Sequence, residues 1–108
     1  DGERAAGPDH PILATFLNNL ALAHADRGEQ GEARVLLERA LAIDTAAYGV
    51  LHTSVGRDHH RLAETLIALG DGDGARTHLA RAVEAFTGSV GADHAFTVRV
   101  RDQLAALP

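Results

Sequence analysis

Apolar residues recur every three or four positions along most of the chain, and short segments rich in Gly and Asp interrupt them. This spacing puts the apolar side chains on one stripe of an α-helix. It predicts five helices, over residues 11–27, 30–48, 53–69, 73–87 and 93–107. Gly ends many helices because it accepts the left-handed backbone conformation. Gly28, Gly49 and Gly70 are therefore the predicted stops of the first three helices, and Gly88 with Gly91 breaks the fourth.

Signals for the helix starts are clearest at the first and third helices. Asp9 is the predicted N-cap of the first helix, because its short side chain can accept a hydrogen bond from a free backbone amide, and Pro11 suits the first turn. The third helix is expected to start at Thr53 or Ser54. Gly56 weakens the first turn there, which favours a later start, at residue 57.

The chain also matches itself, without a gap, after a shift of 42 residues. The identical positions of the first copy are Gly7, His10, Leu20, Ala21, Gly28, Ala33, Arg34, Leu37, Arg39 and Ala40. A third copy begins with Gly91, His94, Leu104 and Ala105. We therefore divide one domain, residues 1–108, into a first repeat at 7–48, a second at 49–90, and a last helix at 91–108 that either caps the stack or begins a further repeat.

Each predicted helix has an inward stripe made mostly of Leu and Ala. The stripes are Leu13, Leu17, Leu20, Ala21 and His24; Ala33, Leu36, Leu37, Ala40 and Leu41; Leu62, Ala63, Leu66 and Leu69; Ala75, Leu79, Ala82, Val83 and Phe86; and Phe96, Val100, Leu104 and Leu107. Asp44 or Tyr48 is expected at the solvent-exposed end of the second stripe. Ala33, Ala40, Ala75 and Ala82 are small enough for two helices to cross closely, and a larger residue would overpack.

These repeats resemble the tetratricopeptide repeat family. The matching positions in the first copy are Leu20, Ala21, Gly28, Ala33, Leu37 and Ala40, and each has its counterpart in the second copy. The 42-residue period and the segments at 7–11, 17–21 and 37–43 are similar to the kinesin light chain variety, which also occurs in bacterial multidomain regulators. The resemblance implies an all-α superhelix of two helix-turn-helix repeats plus a closing helix.

In proteins of this family the first helix of each pair lines a concave groove that holds a peptide or a partner protein. The corresponding positions here are Thr15, Asn18, Asn19 and Leu22; Arg57, His60, Arg61 and Glu64; and Arg99, Asp102, Gln103 and Ala106. Asn19 shares its repeat position with Arg61 and Gln103, and the family often uses an Asn there to bind the ligand backbone. Since an Arg can grip a carboxylate with two hydrogen bonds, we expect the guest to be acidic or to offer a free C-terminus.

Composition and charge further narrow the class of partner. The net charge of −5 argues against a nucleic-acid surface, and no apolar segment is long enough to cross a membrane. There is no Cys, no secretion signal and no initiator Met, so we expect a cytoplasmic segment of a longer protein. All ten basic residues are Arg, which we attribute to a GC-rich, actinobacterial genome.

Other candidate chemistry is weak, and we expect neither catalysis nor a metal or cofactor. His10, His52 and His94 recur with the repeat near helix starts, which favours capping or packing over metal binding. Adjacent His59 and His60 point in different directions on a helix and make a poor chelate. The segment at 71–74 alternates Asp and Gly, but it lacks the remaining ligands of a calcium loop and aligns with the turn of the first repeat.

Three roles remain open at this stage. The first is a protein-interaction scaffold, and the second is a sensor or oligomerisation segment of a larger signalling ATPase or transcriptional regulator. A flanking nucleotide-binding domain would favour the second role. The third is self-association through exposed repeat ends, because an uncovered apolar face seeks a partner.

Overall fold

The computed structural model of the protein describes residues 10–108, which form successive antiparallel helices. The helices are α1 (Pro11–Asp26), α2 (Gln30–Tyr48), α3 (Thr53–Ala68), α4 (Gly72–Val90) and α5 (Ala95–Ala106). Each helix packs mainly against its neighbours in the chain, so α1 with α2 and α3 with α4 make two hairpins and α5 covers the second. The all-α repeat fold predicted from the sequence is thus confirmed for the described part of the chain.

The histidines that recur with the repeat cap three helices. The Nδ1 atoms of His10, His52 and His94 accept hydrogen bonds from the backbone N–H two residues further on, at 3.0 to 3.1 Å. Each bond satisfies one of the free amide groups in a first helical turn. The capping role is therefore confirmed, and the N-cap of α1 is His10; the predicted cap, Asp9, lies outside the described residues.

Four glycines set the length of the units. Gly28, Gly49, Gly70 and Gly91 lie 21 residues apart, and their φ angles are 82°, 83°, 85° and 98°. Residues with a Cβ rarely adopt this conformation, so a Gly follows the end of each of α1 to α4. Gly88 was predicted to break α4 as well, but the helix continues through it to Val90.

Gly56 has a different role from the one the sequence suggested. The third helix does not start late: it begins at Thr53 and runs through Gly56. A Cβ at this position would lie 2.6 Å from Cε1 of Phe86 on α4. The glycine is therefore tolerated in the helix because it makes room for an aromatic ring of the neighbouring helix.

Fully buried alanines occupy the helix crossings. The alanines with no exposed surface are Ala14, Ala21, Ala33, Ala40, Ala63, Ala75, Ala82 and Ala85. Larger residues fill the space between the crossings, among them Leu37, Leu62, Leu79 and Val100. The four alanines predicted to lie where backbones meet are all in this buried set, which agrees with their proposed role.

Several predicted core positions are exposed. Leu20 is 37% exposed, whereas its repeat counterpart Leu62 is buried against the cluster that contains Leu37 of α2. The reason is that the stacking face of α1, unlike that of α3, has no described helix against it. Leu69 lies beyond the end of α3 and is exposed, and so is Phe96, at 48%.

Asp44 is the opposite case. Either Asp44 or Tyr48 was expected at the solvent-exposed end of the second stripe; Tyr48 does lie on the surface, whereas Asp44 is 1% exposed.

No described helix is long and apolar enough to pass through a lipid bilayer.

We expect Gly56→Ala to destabilise the protein by about 1–3 kcal/mol, because the added methyl group meets the Phe86 ring in a packed interior. Gly31→Ala is the matched control: it lies in a first helical turn, and its Cβ would meet nothing within 4 Å. That variant should be neutral or slightly stabilising, since Ala is the better helix former. Urea unfolding of both variants measures the difference, and equal stabilities would contradict the packing role of Gly56.

Candidate binding groove

A cavity of about 530 Å³ lies on the side of the molecule where α1, α3 and α5 present their outer faces. We call it the groove and define it by its lining residues: Leu22, Thr53, Ser54, Arg57, His60, Arg61, Glu64, Phe86, Phe96 and Arg99. The helices that line it are mainly the first members of the hairpins and the closing helix. This is the arrangement expected from the alternation of helices along the chain.

Six of the predicted site residues meet in this groove. They are Leu22, Arg57, His60, Arg61, Glu64 and Arg99. Gln103 stands at the edge, where its Nε2 donates to Oε2 of Glu64 at 3.5 Å. Thr15 and Asn19 are exposed on α1 but do not line the cavity. The exposed Asp102 and Ala106 of α5 also lie outside it.

Asn18 is not available to a guest. It was expected to face the groove, but it is 1% exposed and lies between the helices. Its Nδ2 donates to Oδ1 of Asp58 at 2.5 Å, and its Oδ1 accepts from Nη1 of Arg61. Because α3 packs against the first hairpin, this amide holds two residues of α3 in place instead of contacting solvent.

Four lining residues were not predicted. Thr53 and Ser54 are in the first turn of α3, and Phe86 and Phe96 supply an apolar patch with ring centroids 5.5 Å apart. Phe86 was assigned to the core, where it is indeed buried, and one edge of it forms the groove floor. A sequence signal existed, because two of the three Phe residues of the chain fall one helix apart near its end.

The three groove arginines differ in how far their charges are compensated. Arg57 lies 4.0 Å from Oδ2 of Asp44 and 3.9 Å from Oδ1 of Asp58. Arg61 donates to the neutral Asn18, and burial together with the charge of Arg57 lowers the pKa of its guanidinium. Among the described residues, no carboxylate lies within ion-pair distance of Arg99. Arg61 and Arg99 therefore offer the less compensated positive charge.

One acidic residue opposes these arginines. Oε2 of Glu64 lies 3.4 Å from Nε2 of His60, one helical turn away. The hydrogen bond from His60 lowers the pKa of the Glu64 carboxyl, with smaller contributions from Gln103 and Arg61. Glu64 is thus ionised near neutral pH and adds one negative charge to the groove.

Beneath the groove lies a pair of buried carboxyl groups. Asp44 of α2 is 1% exposed, and Asp58 of α3 has no exposed surface. Burial, together with the neighbouring carboxyl group of Asp44, raises the pKa of Asp58 to about 8 against the opposing effects of Asn18 and Arg57. Asp58 therefore carries a proton at neutral pH.

The remaining histidine cluster does not form a metal site. Nδ1 of His59 on α3 lies 2.9 Å from Nδ1 of His78 on α4, so one ring donates to the other. No three metal-ligating side chains come together anywhere in residues 10–108. Desolvation lowers the pKa of His59 to about 4, with help from the nearby His78 and Arg81, so both rings are held in a neutral, packed contact.

The Asp–Gly segment at 71–74 is a helix start. Oδ1 of Asp71 accepts from the backbone N–H of Gly74 at 2.9 Å, which is the N-cap interaction of α4. The segment was predicted to be a turn, but α4 begins at Gly72, one residue earlier than predicted, so residues 72–74 belong to the helix. The carboxylate of Asp71 is therefore occupied in capping α4.

Comparison with known proteins agrees with this architecture. A family model described as tetratricopeptide repeat matches residues 2–46, and a second model with the same description matches residues 59–81. Together they cover more than half of the chain, one match in each hairpin. The chain is a tetratricopeptide repeat protein, and such repeats generally mediate contacts between proteins. No curated protein matches the chain.

The His59–His78 contact predicts a specific loss of stability in acid. Because the folded protein holds the pKa of His59 below its unfolded value of 6.5, the neutral contact stabilises the fold above that pH. This contribution is lost as the pH falls from about 6.5 toward about 4, and it amounts to about 1–2 kcal/mol. His59→Gln should therefore cost stability at neutral pH and much less near pH 4.5, measured by urea unfolding. Parallel pH profiles of the two proteins would contradict this role.

Proposed function

We propose that the groove binds a segment of another polypeptide that is acidic or ends in a free carboxylate. The observation that carries the proposal is the convergence of Arg57, Arg61 and Arg99 from two helices into one cavity. Scattered arginines on solvated helix faces would not share a cavity. A guanidinium binds a carboxylate through two parallel hydrogen bonds, so the cavity favours carboxylates over other groups.

The shape of the groove adds an apolar requirement. Phe86, Phe96 and Leu22 are the apolar residues that line it. A volume of about 530 Å³ falls within the range of small-ligand pockets and accommodates only a few side chains. The guest that fits best has an acidic group near Arg61 and Arg99 and an apolar side chain beside the two rings. This points to binding, and no catalytic grouping is part of the proposal.

The repeat variety belongs to the same proposal. The 42-residue period with a Gly stop every 21 residues supports the kinesin light chain variety. In that variety the position of Asn19 contacts the guest, and here Asn19 is exposed on α1 beyond the cavity. An extended guest that runs from the groove along α1 would reach it, whereas a guest confined to the cavity would not.

Fluorescence polarisation with labelled acidic peptides that contain one Leu and a free C-terminus tests the proposal. Arg61→Ala and Arg99→Ala should each weaken binding about 5- to 50-fold, because each removes a charge-assisted contact of about 1–2.5 kcal/mol. Arg101→Ala is the matched control: it lies on α5 outside the groove and should bind as the wild type does. A loss of affinity in the control equal to that in Arg99→Ala would overturn the assignment. A second control peptide has Lys in place of its acidic residues, and if it bound as tightly as the acidic peptide, that would also overturn the assignment.

We also propose that the exposed face of α1 contacts another helical unit. Ile12, Phe16 and Leu20 form a stripe along α1, with 73%, 60% and 37% of their surfaces exposed. The counterparts of Phe16 and Leu20 in α3 are buried by the preceding hairpin. A face of this kind suits a further hairpin or a second copy of the chain.

Sedimentation at two protein concentrations tests whether a second copy occupies this face. The wild type should associate more at the higher concentration, and Phe16→Glu should prevent it, because burying an unpaired charge is costly. Ile67→Glu, at an exposed apolar residue of α3, is the control and should associate as the wild type does. A wild type that stays monomeric at both concentrations leaves only the further hairpin as occupant.

A further inference from the structure

The two junctions between repeats are built from different chemistry. Asp44 and Asp58 lie where α3 packs on the first hairpin, and their counterparts one period later are Phe86 and Val100. All four side chains are buried. The second junction is therefore an ordinary apolar contact, whereas the first places two carboxyl groups in the same geometric positions. Apolar side chains are evidently compatible with this architecture, so the acidic pair calls for an explanation.

The geometry shows how two buried carboxyl groups coexist. Two carboxylate anions this deeply buried would repel each other and lose their hydration. Oδ2 of Asp44 and Oδ2 of Asp58 are both buried and have no hydrogen-bond donor among the described residues, and Arg57 lies 4.0 Å from one carboxyl group and 3.9 Å from the other. A carboxyl group that keeps its proton can supply a donor where none is otherwise present. The burial of both groups beside one guanidinium therefore favours a pair that holds one proton between them.

The polar and charged groups around the pair come from three helices. Asn18 of α1 is neutral and donates to Oδ1 of Asp58. Arg57, on α3, lies 3.9 Å from that same oxygen and 4.0 Å from Asp44 of α2. Arg61, also on α3, reaches the pair through the Asn18 amide. With the proton in place, the pair carries one negative charge opposite the two guanidinium groups of Arg57 and Arg61. Without the proton, it carries two negative charges opposite the same two groups.

Arg57 links this buried pair to the groove. Its guanidinium lines the cavity, while its buried Nε has no hydrogen-bond partner. An ionised Asp58 would attract that Nε–H and draw the side chain downward, away from a guest. With a protonated Asp58, Arg57 has only the carboxylate of Asp44, at 4.0 Å, as a competitor and is more available to a guest.

We propose that the proton shared by Asp44 and Asp58 controls how strongly the groove holds an anionic guest, because it removes one of the two negative charges that compete with the guest for Arg57 and Arg61. This rests on the proposed function of the groove. Since the pKa of Asp58 is about 8, the groove holds the guest best below that pH and releases it as the pH rises through it. His60 and Glu64 also face the groove, and the charge of Glu64 acts on Arg61 but is not among the charges that act on Asp58.

The first test follows the proton without any guest. The carboxyl carbon of Asp58, observed by NMR, should titrate near pH 8, and the Nε–H resonance of Arg57 should shift in the same pH interval. The folded pKa lies above the unfolded value of 3.8, so the pair should lower stability as the pH rises between these two values. An Asp58 carboxyl that ionises in the ordinary acidic range, or an Arg57 signal that does not respond, overturns the inference.

The second test uses Asp58→Asn, which mimics the protonated form because the amide can accept from Asn18 and donate to Asp44. Between about pH 6.5 and about pH 9.5, the affinity of the wild type for the labelled acidic peptide should fall about 3- to 10-fold. The affinity of Asp58→Asn should stay constant at the higher value. Asp102→Asn, an exposed residue outside the groove, is the control and should retain the pH dependence of the wild type.

The outcomes separate the two proposals. Binding of the peptide with the same pH dependence in wild type and Asp58→Asn overturns the control by the proton and leaves the groove proposal intact. A peptide that binds at neither pH overturns the groove proposal and, with it, its regulation. Should Asp58→Asn fail to fold, the NMR titration of the wild type still decides whether the proton is shared.

Discussion

Close helix crossings at alanine are the constraint on which the rest of the structure depends. Ala33 and Ala40 in the first hairpin, and Ala75 and Ala82 in the second, let the paired backbones approach until no solvent reaches these sites. Because both hairpins close in the same way, α3 stacks on the first pair as α5 stacks on the second. The first helices then share one side of the molecule, and the groove is the space between them.

Much of this architecture could be read from the sequence because its signals are local. A Gly every 21 residues fixes the helix ends, and a His at the same phase of each 42-residue period caps the helix that follows. These features depend on backbone conformation within a few residues. The small residues at the crossings are also periodic, so they identify the face that meets the partner within a hairpin.

Contacts between hairpins were harder to predict. A helix in a stacked array buries one stripe against its own partner and a second stripe against the preceding pair, and helical periodicity does not separate the two. Asn18 was therefore assigned to the groove although it lies in the stacking contact, and Leu20 was assigned to the core although nothing described covers it. The buried Asp44 and Asp58 break the apolar pattern, which is why the sequence did not place them in the core. Gly56 was misread for a different reason: its contact lies within the second hairpin, but Phe86 is thirty residues away in sequence.

The same stacking contact joins stability to binding. The arginines that line the groove are held from below by the amide and carboxyl groups of the junction, so the charge offered to a guest depends on groups that no guest touches. The apolar second junction lacks this connection, because Phe86 and Val100 take the places of the two carboxyl groups there. The charge of the groove near Arg99 is thus fixed, whereas the charge near Arg57 depends on a buried proton.

Chemical-shift mapping of the labelled protein during titration with an acidic, Leu-containing peptide tests the central claim most directly. The account predicts that the perturbed amide and guanidinium signals cluster on α3 and α5, around Arg61, Phe96 and Arg99. Saturable shifts confined to the opposite face, formed by α2 and α4, would contradict it.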